Sequence, residues 1–169
     1  MTLLRGFAPL VGETPHTLIL GSMPGAASLA AAQYYAHPRN AFWSIVAGLT
    51  GVQAAAPYDE RVAGLTASGF ALWDVLGACE RPTSLDSDIV AGSMMPNPVA
   101  ALLAEHPGIA LVACNGSAAF SLYRRFVAPT LPADREAPRV LRLPSTSPAH
   151  AARSVADKRA AWVEALRSR

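Results

Sequence analysis

Strand and helix signals alternate along this chain, and that alternation restricts it to an α/β layer fold with a mostly parallel sheet. Thr17 to Leu20 is a short apolar, β-prone run that stops at Gly21. Phe70 to Leu76 reads as a second strand, Ile109 to Cys114 as a third and Val140 to Leu143 as a fourth. Apolar residues recur at helical spacing over Ala41 to Leu49, Asp59 to Ala67, Pro98 to Glu105 and Ser117 to Val127, and again over Ala151 to Leu166. Asn97 stands where a helix cap is expected, and Cys79 to Ser93 has no period and reads as irregular. Polar clusters follow three of the four strands: Gly21 to Gly25, Asn115-Gly116, and Ser145 to Ser147. Ligands of open α/β sheets bind outside the carboxyl ends of the strands. The three clusters are therefore expected to converge on one crevice.

The length of 169 residues suits one domain, expected to run from residue 1 to residue 169. Half of the residues are hydrophobic and 15% are charged, so the chain can bury a core and is not disordered. The net charge of +2 is compatible with a phosphate-binding face without requiring one. Lys158 is the only lysine, so the positive charge is almost all arginine. Cys79 and Cys114 are far apart and match no metal-ligand spacing; they read as reduced cysteines of a cytoplasmic protein. The four histidines are scattered, and no metal or cofactor is expected. The apolar stretch at Met1 to Val11 is broken by Arg5 and Pro9 and is too short for a membrane span.

Two segments carry chemistry. Gly21-Ser22-Met23-Pro24-Gly25 is a tight turn leaving a strand, where glycines let the backbone approach a ligand and present N–H groups to it. Tyr34-Tyr35-Ala36-His37-Pro38-Arg39-Asn40-Ala41-Phe42-Trp43 gathers aromatic rings, a histidine, an arginine and an amide before a helix. Aromatic faces stack nucleobases. The plain alternatives are that Asn40 caps the helix, that Phe42 and Trp43 are core, and that Asn115-Gly116 is only a turn.

The pair Gly-x-x-Pro-Gly and His-Pro-x-Asn-x-Phe-Trp resembles the mismatch-specific branch of the uracil-DNA glycosylase superfamily. Gln33-Tyr34-Tyr35, Leu72-Trp73-Asp74-Val75-Leu76, Ser84-Leu85-Asp86-Ser87, Asn115-Gly116 and Leu143 to Ala149 resemble its hypoxanthine (deoxyinosine) branch, in family order and over nearly the whole chain. The resemblance implies a three-layer α/β/α fold with a four-stranded sheet in the order 2-1-3-4. It also implies a flipped base held by Gly21, Met23, Pro24, Gly25, Tyr35, Phe42 and Asn115. Ser145, Thr146, Ser147, Pro148 and His150 would press the DNA backbone and supply a wedge. Met23 stands where the mismatch-specific enzymes carry their catalytic asparagine. The catalytic role then passes to Asn40, with Ser22 as the fallback.

The expected partner is DNA containing deaminated bases, the expected state a monomer, and the expected product an abasic site. Lys158, expected away from the crevice, is the only lysine that could form a Schiff base. Asp74, Asp86 and Asp88 carry only structural expectations. The competing readings are a uracil-preferring enzyme and a non-catalytic α/β module that binds nucleotides or damaged DNA. A serine hydrolase using Ser145 or Ser147 lacks the Gly-x-Ser-x-Gly elbow.

Overall fold

The computed structural model describes residues 2–167. Its elements in chain order are β1 (Leu3–Arg5), β2 (Thr17–Gly21), α1 (Ala26–Ala31), α2 (Phe42–Thr50), α3 (Tyr58–Ala67), β3 (Phe70–Asp74), β4 (Leu76–Glu80), β5 (Met95–Pro96), α4 (Val99–Glu105), β6 (Leu111–Asn115), α5 (Ser117–Leu122), β7 (Arg139–Leu143) and α6 (Val155–Arg167).

The main sheet runs β3-β2-β6-β7 with every pairing parallel, which is the 2-1-3-4 order expected for the four main strands. Strand residues alternate between two apolar layers, as the two-residue period of a strand requires. Leu18, Leu20, Val112 and Cys114 face one cluster with Val99 and Leu102 of α4 and Ala119 and Leu122 of α5. Ile19, Leu72, Leu111 and Ala113 face the other, with Phe42 and Ile45 of α2, Leu65 of α3 and Trp162 of α6. A sheet covered on both faces leaves its strand ends as the open edge. Both cysteines are free and buried.

Several features depart from the sequence expectation. The second strand ends at Asp74, and the chain then enters β4, which pairs antiparallel with β1 and β5 in a small second sheet. The break is fixed by backbone bonds: the Val75 amide donates to the Gly21 carbonyl and the Leu76 amide to the Ser22 carbonyl. The supposedly irregular Cys79–Ser93 segment therefore begins inside a strand and continues as two short 3-10 turns, Asp86–Asp88 and Ala91–Ser93. Helix α1 was not expected at all. α6 starts at Val155 rather than at Ala151. Finally, Asn97 does not cap α4; its Nδ2 donates to the Asp74 carbonyl at 2.9 Å and so helps to fix the end of β3.

Candidate active site

Gly21 and Asp74 are register partners at the carboxyl ends of β2 and β3, and Asn115 ends β6 next to them in the sheet. A cavity of about 380 Å³ opens above these strand ends. Gly21 to Gly25, Tyr35, Asn40, Asn115 and Ser145 to Pro148 all border it, and so do Asp74, Leu85 and Asp86. Phe42 and His150 do not.

Gly21 is the close-approach glycine. A Cβ there would collide with Asp74 Oδ1 and lie 2.9 Å from the Tyr35 hydroxyl. Tyr35 holds a left-handed backbone, φ 54°, which is uncommon for a bulky residue and is sustained only by its surroundings. Its ring stacks on Phe42 at 4.1 Å between centroids. Phe42 is fully buried, so its expected contact with a base is corrected to a backing role: it supports the ring that borders the cavity. Tyr34, largely buried, also borders the cavity, its hydroxyl donating to the Ala8 carbonyl at 2.8 Å.

Asn115 does not have the free amide expected for reading a base edge. Its Nδ2 donates to the Tyr35 hydroxyl at 3.1 Å and to Thr146 Oγ1 at 3.0 Å, and its Oδ1 accepts the Thr146 amide at 3.0 Å. Both donors are consumed, and Asn115 instead ties three loops together. Thr146 is buried and faces inward, with its carbonyl accepting the Ala41 amide, so it is not placed to press DNA.

The unassigned polar group of the cavity is Asp74. It is 4% exposed, and its Oδ2 has no hydrogen-bond partner. Burial, reinforced by the charge of Asp86, pushes its carboxyl up from 3.8 to about 7, although the Arg81 guanidinium opposes the shift. Arg81 is itself buried and donates to the Pro24 carbonyl at 2.6 Å. In the sequence, an aspartate after Trp73 near a strand end signals only a paired side chain. Its one distinguishing mark is register: it stands opposite Gly21 where the two strands stop.

Asn40 and Ser22, the expected water-positioning residues, both border the cavity. Asn40 Oδ1 accepts the Phe42 amide at 3.0 Å, which satisfies the first N–H of α2 and orients the side chain. Ser22 Oγ donates to Asp86 Oδ1 at 2.7 Å, leaving its own lone pairs as acceptors. Burial raises the Asp86 carboxyl, while the Ser22 bond and Arg81 lower it.

Ser145, Ser147 and Pro148 border the cavity from the last loop. Lys158, expected away from the crevice, does not border the cavity; it is buried beneath this loop, with Nζ donating to the Ser147 carbonyl at 3.3 Å and the His150 carbonyl at 2.6 Å. His150 itself is exposed and lines a neighbouring groove. Hydrogen bonds from a charged donor contribute about 1.5–3 kcal/mol each. Lys158→Met is therefore expected to destabilise the fold by about 2–4 kcal/mol in thermal unfolding, and to speed tryptic cleavage after Arg153.

Among the described residues no group of His, Cys, Asp and Glu could hold a metal ion, and no helix is long and apolar enough to cross a membrane.

The chain matches the family model described as the uracil DNA glycosylase superfamily over residues 9–167. It is 34% identical over 113 residues to a hypoxanthine DNA glycosylase of Methanosarcina barkeri, covering 66% of this chain and 70% of that protein. It is 36% identical over 114 residues, with the same coverage, to a hypoxanthine DNA glycosylase of Methanosarcina acetivorans. A solution NMR structure from Methanosarcina acetivorans, described as a candidate uracil DNA glycosylase, superposes with a TM-score of 0.78 at 28% identity, over 98% of this chain and 96% of that one. With the parallel sheet, the cavity at its strand ends and a family match over almost the whole length, this chain belongs to the uracil DNA glycosylase superfamily.

Proposed function

We propose that this protein is a monofunctional DNA glycosylase that hydrolyses the N-glycosidic bond of a flipped deaminated base, hypoxanthine above all. The observation that carries the reading is Asp74, a buried carboxyl with an unpartnered oxygen bordering a cavity that also presents the Tyr35 ring. A base in a duplex must be extruded before any side chain can reach its glycosidic bond, at a cost of about a few kcal/mol. Once inside, a lactam edge offers one acceptor, the carbonyl oxygen, and one donor, the ring N–H. A neutral carboxyl supplies the complement of both. Its O–H donates to the base carbonyl and its C=O accepts from the ring N–H.

The reaction needs no strong base. As the C1′–N9 bond breaks, its electron pair passes to the base and spreads to the carbonyl oxygen, where the Asp74 O–H is aimed. Water bonds to C1′ through its oxygen, and its surplus proton ends on the released base. Asn40 orients that water through its amide, and the backbone N–H groups between Ser22 and Gly25 add donors to the same cavity. Preorganised donors of this type contribute roughly 3–4 kcal/mol each to a transition state that gathers negative charge. Lys158 is spent on two backbone carbonyls, which supports simple hydrolysis without a Schiff base. The two curated relatives named as hypoxanthine DNA glycosylases favour hypoxanthine over uracil.

The test is base release from otherwise identical oligonucleotides carrying inosine, uracil or xanthine, with wild type, Asn40→Ala and Asn40→Asp. Inosine is expected to be processed fastest, and no strand is cut. Asn40→Ala is expected to lose at least about 100-fold in rate and about 1 kcal/mol of stability, because the Phe42 amide loses its acceptor. Asn40→Asp keeps that acceptor and isolates the effect on rate. Wild-type activity in Asn40→Ala would remove its role, and tight binding without base release from any substrate would favour the non-catalytic module.

A further inference from the structure

The base-facing loop after β2 is fastened by the segment that leaves β4. β4 is paired on both edges, with β1 and with β5, so the backbone that enters this segment is fixed. Three side chains of the segment reach the loop. Asp86 Oδ1 accepts from Ser22 Oγ at 2.7 Å, Ser84 Oγ accepts the Ala26 amide at 3.0 Å, and Arg81 Nη2 donates to the Pro24 carbonyl at 2.6 Å. Ser84 and Asp86 are exposed. Arg81 is not: it is 5% exposed, and its Nε and Nη1 have no hydrogen-bond partner.

A single carbonyl does not call for a guanidinium. Burying a cation with two donors unmet is unfavourable, and an apolar side chain of similar volume would fill the same space at less cost. The charge therefore needs a counterpart, and the carboxyls of Asp74 and Asp86 both feel it. With one proton between the two carboxyls the cluster is neutral; with none it is net negative, and with two net positive. The neutral arrangement is the least costly to bury. Hydrogen bonding decides which carboxyl keeps the proton. Asp86 is exposed and receives the Ser22 hydroxyl, which favours its carboxylate. Asp74 is buried and its Oδ2 receives no donor, which favours the acid. The other titratable groups in electrostatic contact are the Tyr34 and Tyr35 hydroxyls and the Cys79 thiol, which burial pushes up and keeps neutral.

We propose that Arg81 is a positioning residue of this site: it pins the Pro24 end of the base-facing loop and holds the two carboxyls beside it to a single proton, which Asp74 keeps. The inference deepens the glycosylase reading and rests on it for the role of Asp74. Arg81 does not border the cavity and touches no reacting atom; it acts through Pro24 and Asp74.

The experiment follows the side-chain carboxyl signals of Asp74 and Asp86 by NMR in isotope-labelled free protein from pH 4 to pH 9, with Asp74→Asn to assign them. Base release from inosine-containing DNA is measured over the same range. Wild type is compared with Arg81→Met, which removes charge and donor, Arg81→Gln, which removes the charge alone, and Arg81→Lys, which keeps it. Wild type is expected to show Asp74 titrating at about 7 and Asp86 below it. Both uncharged variants are expected to raise the Asp74 midpoint by at least about one pH unit, and the alkaline limb of base release should move with it. Arg81→Lys is expected to hold the midpoint within about half a unit of wild type. At pH 6, where Asp74 is protonated, Arg81→Met is expected to be about tenfold slower than Arg81→Gln, because nothing then reaches the Pro24 carbonyl. An Asp74 midpoint unchanged in the uncharged variants overturns the proposal. So does an equal shift in Arg81→Lys, or failure of both uncharged variants to fold, since either marks a packing role; one folded uncharged variant suffices for the readout. A wild type that titrates as expected but releases no base supports the charge arrangement and counts against the glycosylase reading instead.

Discussion

Asp74→Ala is expected to lower kcat/KM for inosine-containing DNA by about 100- to 1000-fold at pH 6, the effect of losing one preorganised donor, while Asp74→Asn stays within about tenfold of wild type because an amide also offers one donor and one acceptor. The two variants separate on pH. The working form of Asp74 is the neutral acid, and its carboxyl sits at about 7. Wild-type activity should therefore hold below pH 7 and fall about tenfold for each further pH unit well above it, whereas Asp74→Asn should show no such alkaline limb. The groups facing this carboxyl are Asp86, which raises it, and Arg81, which lowers it; the Tyr35 hydroxyl lies beside it, on the same side of Gly21. A wild-type rate that is flat from pH 6 to pH 9 would refute the neutral-acid role.

The same carboxyl has a consequence for stability, with the opposite sense for the variant. Its value is 3.8 in the unfolded reference and about 7 in the folded chain, so the folded state binds the proton more tightly. The stability from this group is fully present below pH 3.8 and is lost progressively as pH rises to about 7. At pH 8 the native protein carries a buried charge whose penalty, at about 1.4 kcal/mol per pKa unit, is on the order of 4 kcal/mol. Asp74→Asn should accordingly melt higher than wild type at pH 8, by on the order of 5–10 °C, and the gap should narrow towards pH 4. Calorimetry across that range checks it.

Asn115→Ala is expected to be the most damaging single change outside Asp74. It deletes three hydrogen bonds, to Tyr35, to Thr146 Oγ1 and from the Thr146 amide, and leaves a buried amide without its acceptor. The expected cost is about 2–4 kcal/mol, with a melting temperature lower by roughly 5–15 °C. Activity should fall more than about 100-fold even at 15 °C, where the variant remains folded, because Tyr35 and the last loop lose their common tie. Asn115→Asp tests the geometry differently. Its oxygens can still accept from the Tyr35 and Thr146 hydroxyls and the Thr146 amide, so the tie is preserved, but a second carboxylate now stands near Asp74. Like charge disfavours ionisation, so the alkaline limb of the wild-type profile should move to higher pH. An Asn115→Ala protein with wild-type melting and turnover would show that the three loops are fixed by something else.

Much of the architecture was legible because the four central strands are short apolar runs closed by glycine or polar residues, and because parallel strands require the long crossovers that the helical spacing supplied. What escaped had no such signature. β1 and β5 are three and two residues long, too short for a two-residue period to register. α1 is six residues of mostly alanine beginning just after Pro24-Gly25, so its start is indistinguishable from a turn. Asn97 precedes a helix as a cap does, yet its side chain goes to β3.

For the site, the resemblance brought Gly21, Ser22, Tyr35, Asn40 and Asn115 to one cavity, but their hydrogen bonds changed what two of them can do. No pattern in a linear chain tells that the Asn115 amide is consumed by loops 80 and 31 residues away. Nor does it tell that Asp74 is left with an unpartnered oxygen. Both facts depend on which side chains the folded sheet brings together.

The left-handed backbone of Tyr35 bears on how this protein would respond to laboratory evolution. A glycine or asparagine would sit more comfortably at that torsion, but it would forfeit the ring stacked on Phe42 and the hydroxyl that Asn115 holds, so packing keeps the strained tyrosine in place. Asp74 has no such protection, and above neutral pH Asp74→Asn is expected to raise heat resistance. Variants chosen only for surviving high temperature would thus drift towards sturdier, duller proteins, and a library sorted without a base-release assay would discard the carboxyl that gives this fold its use.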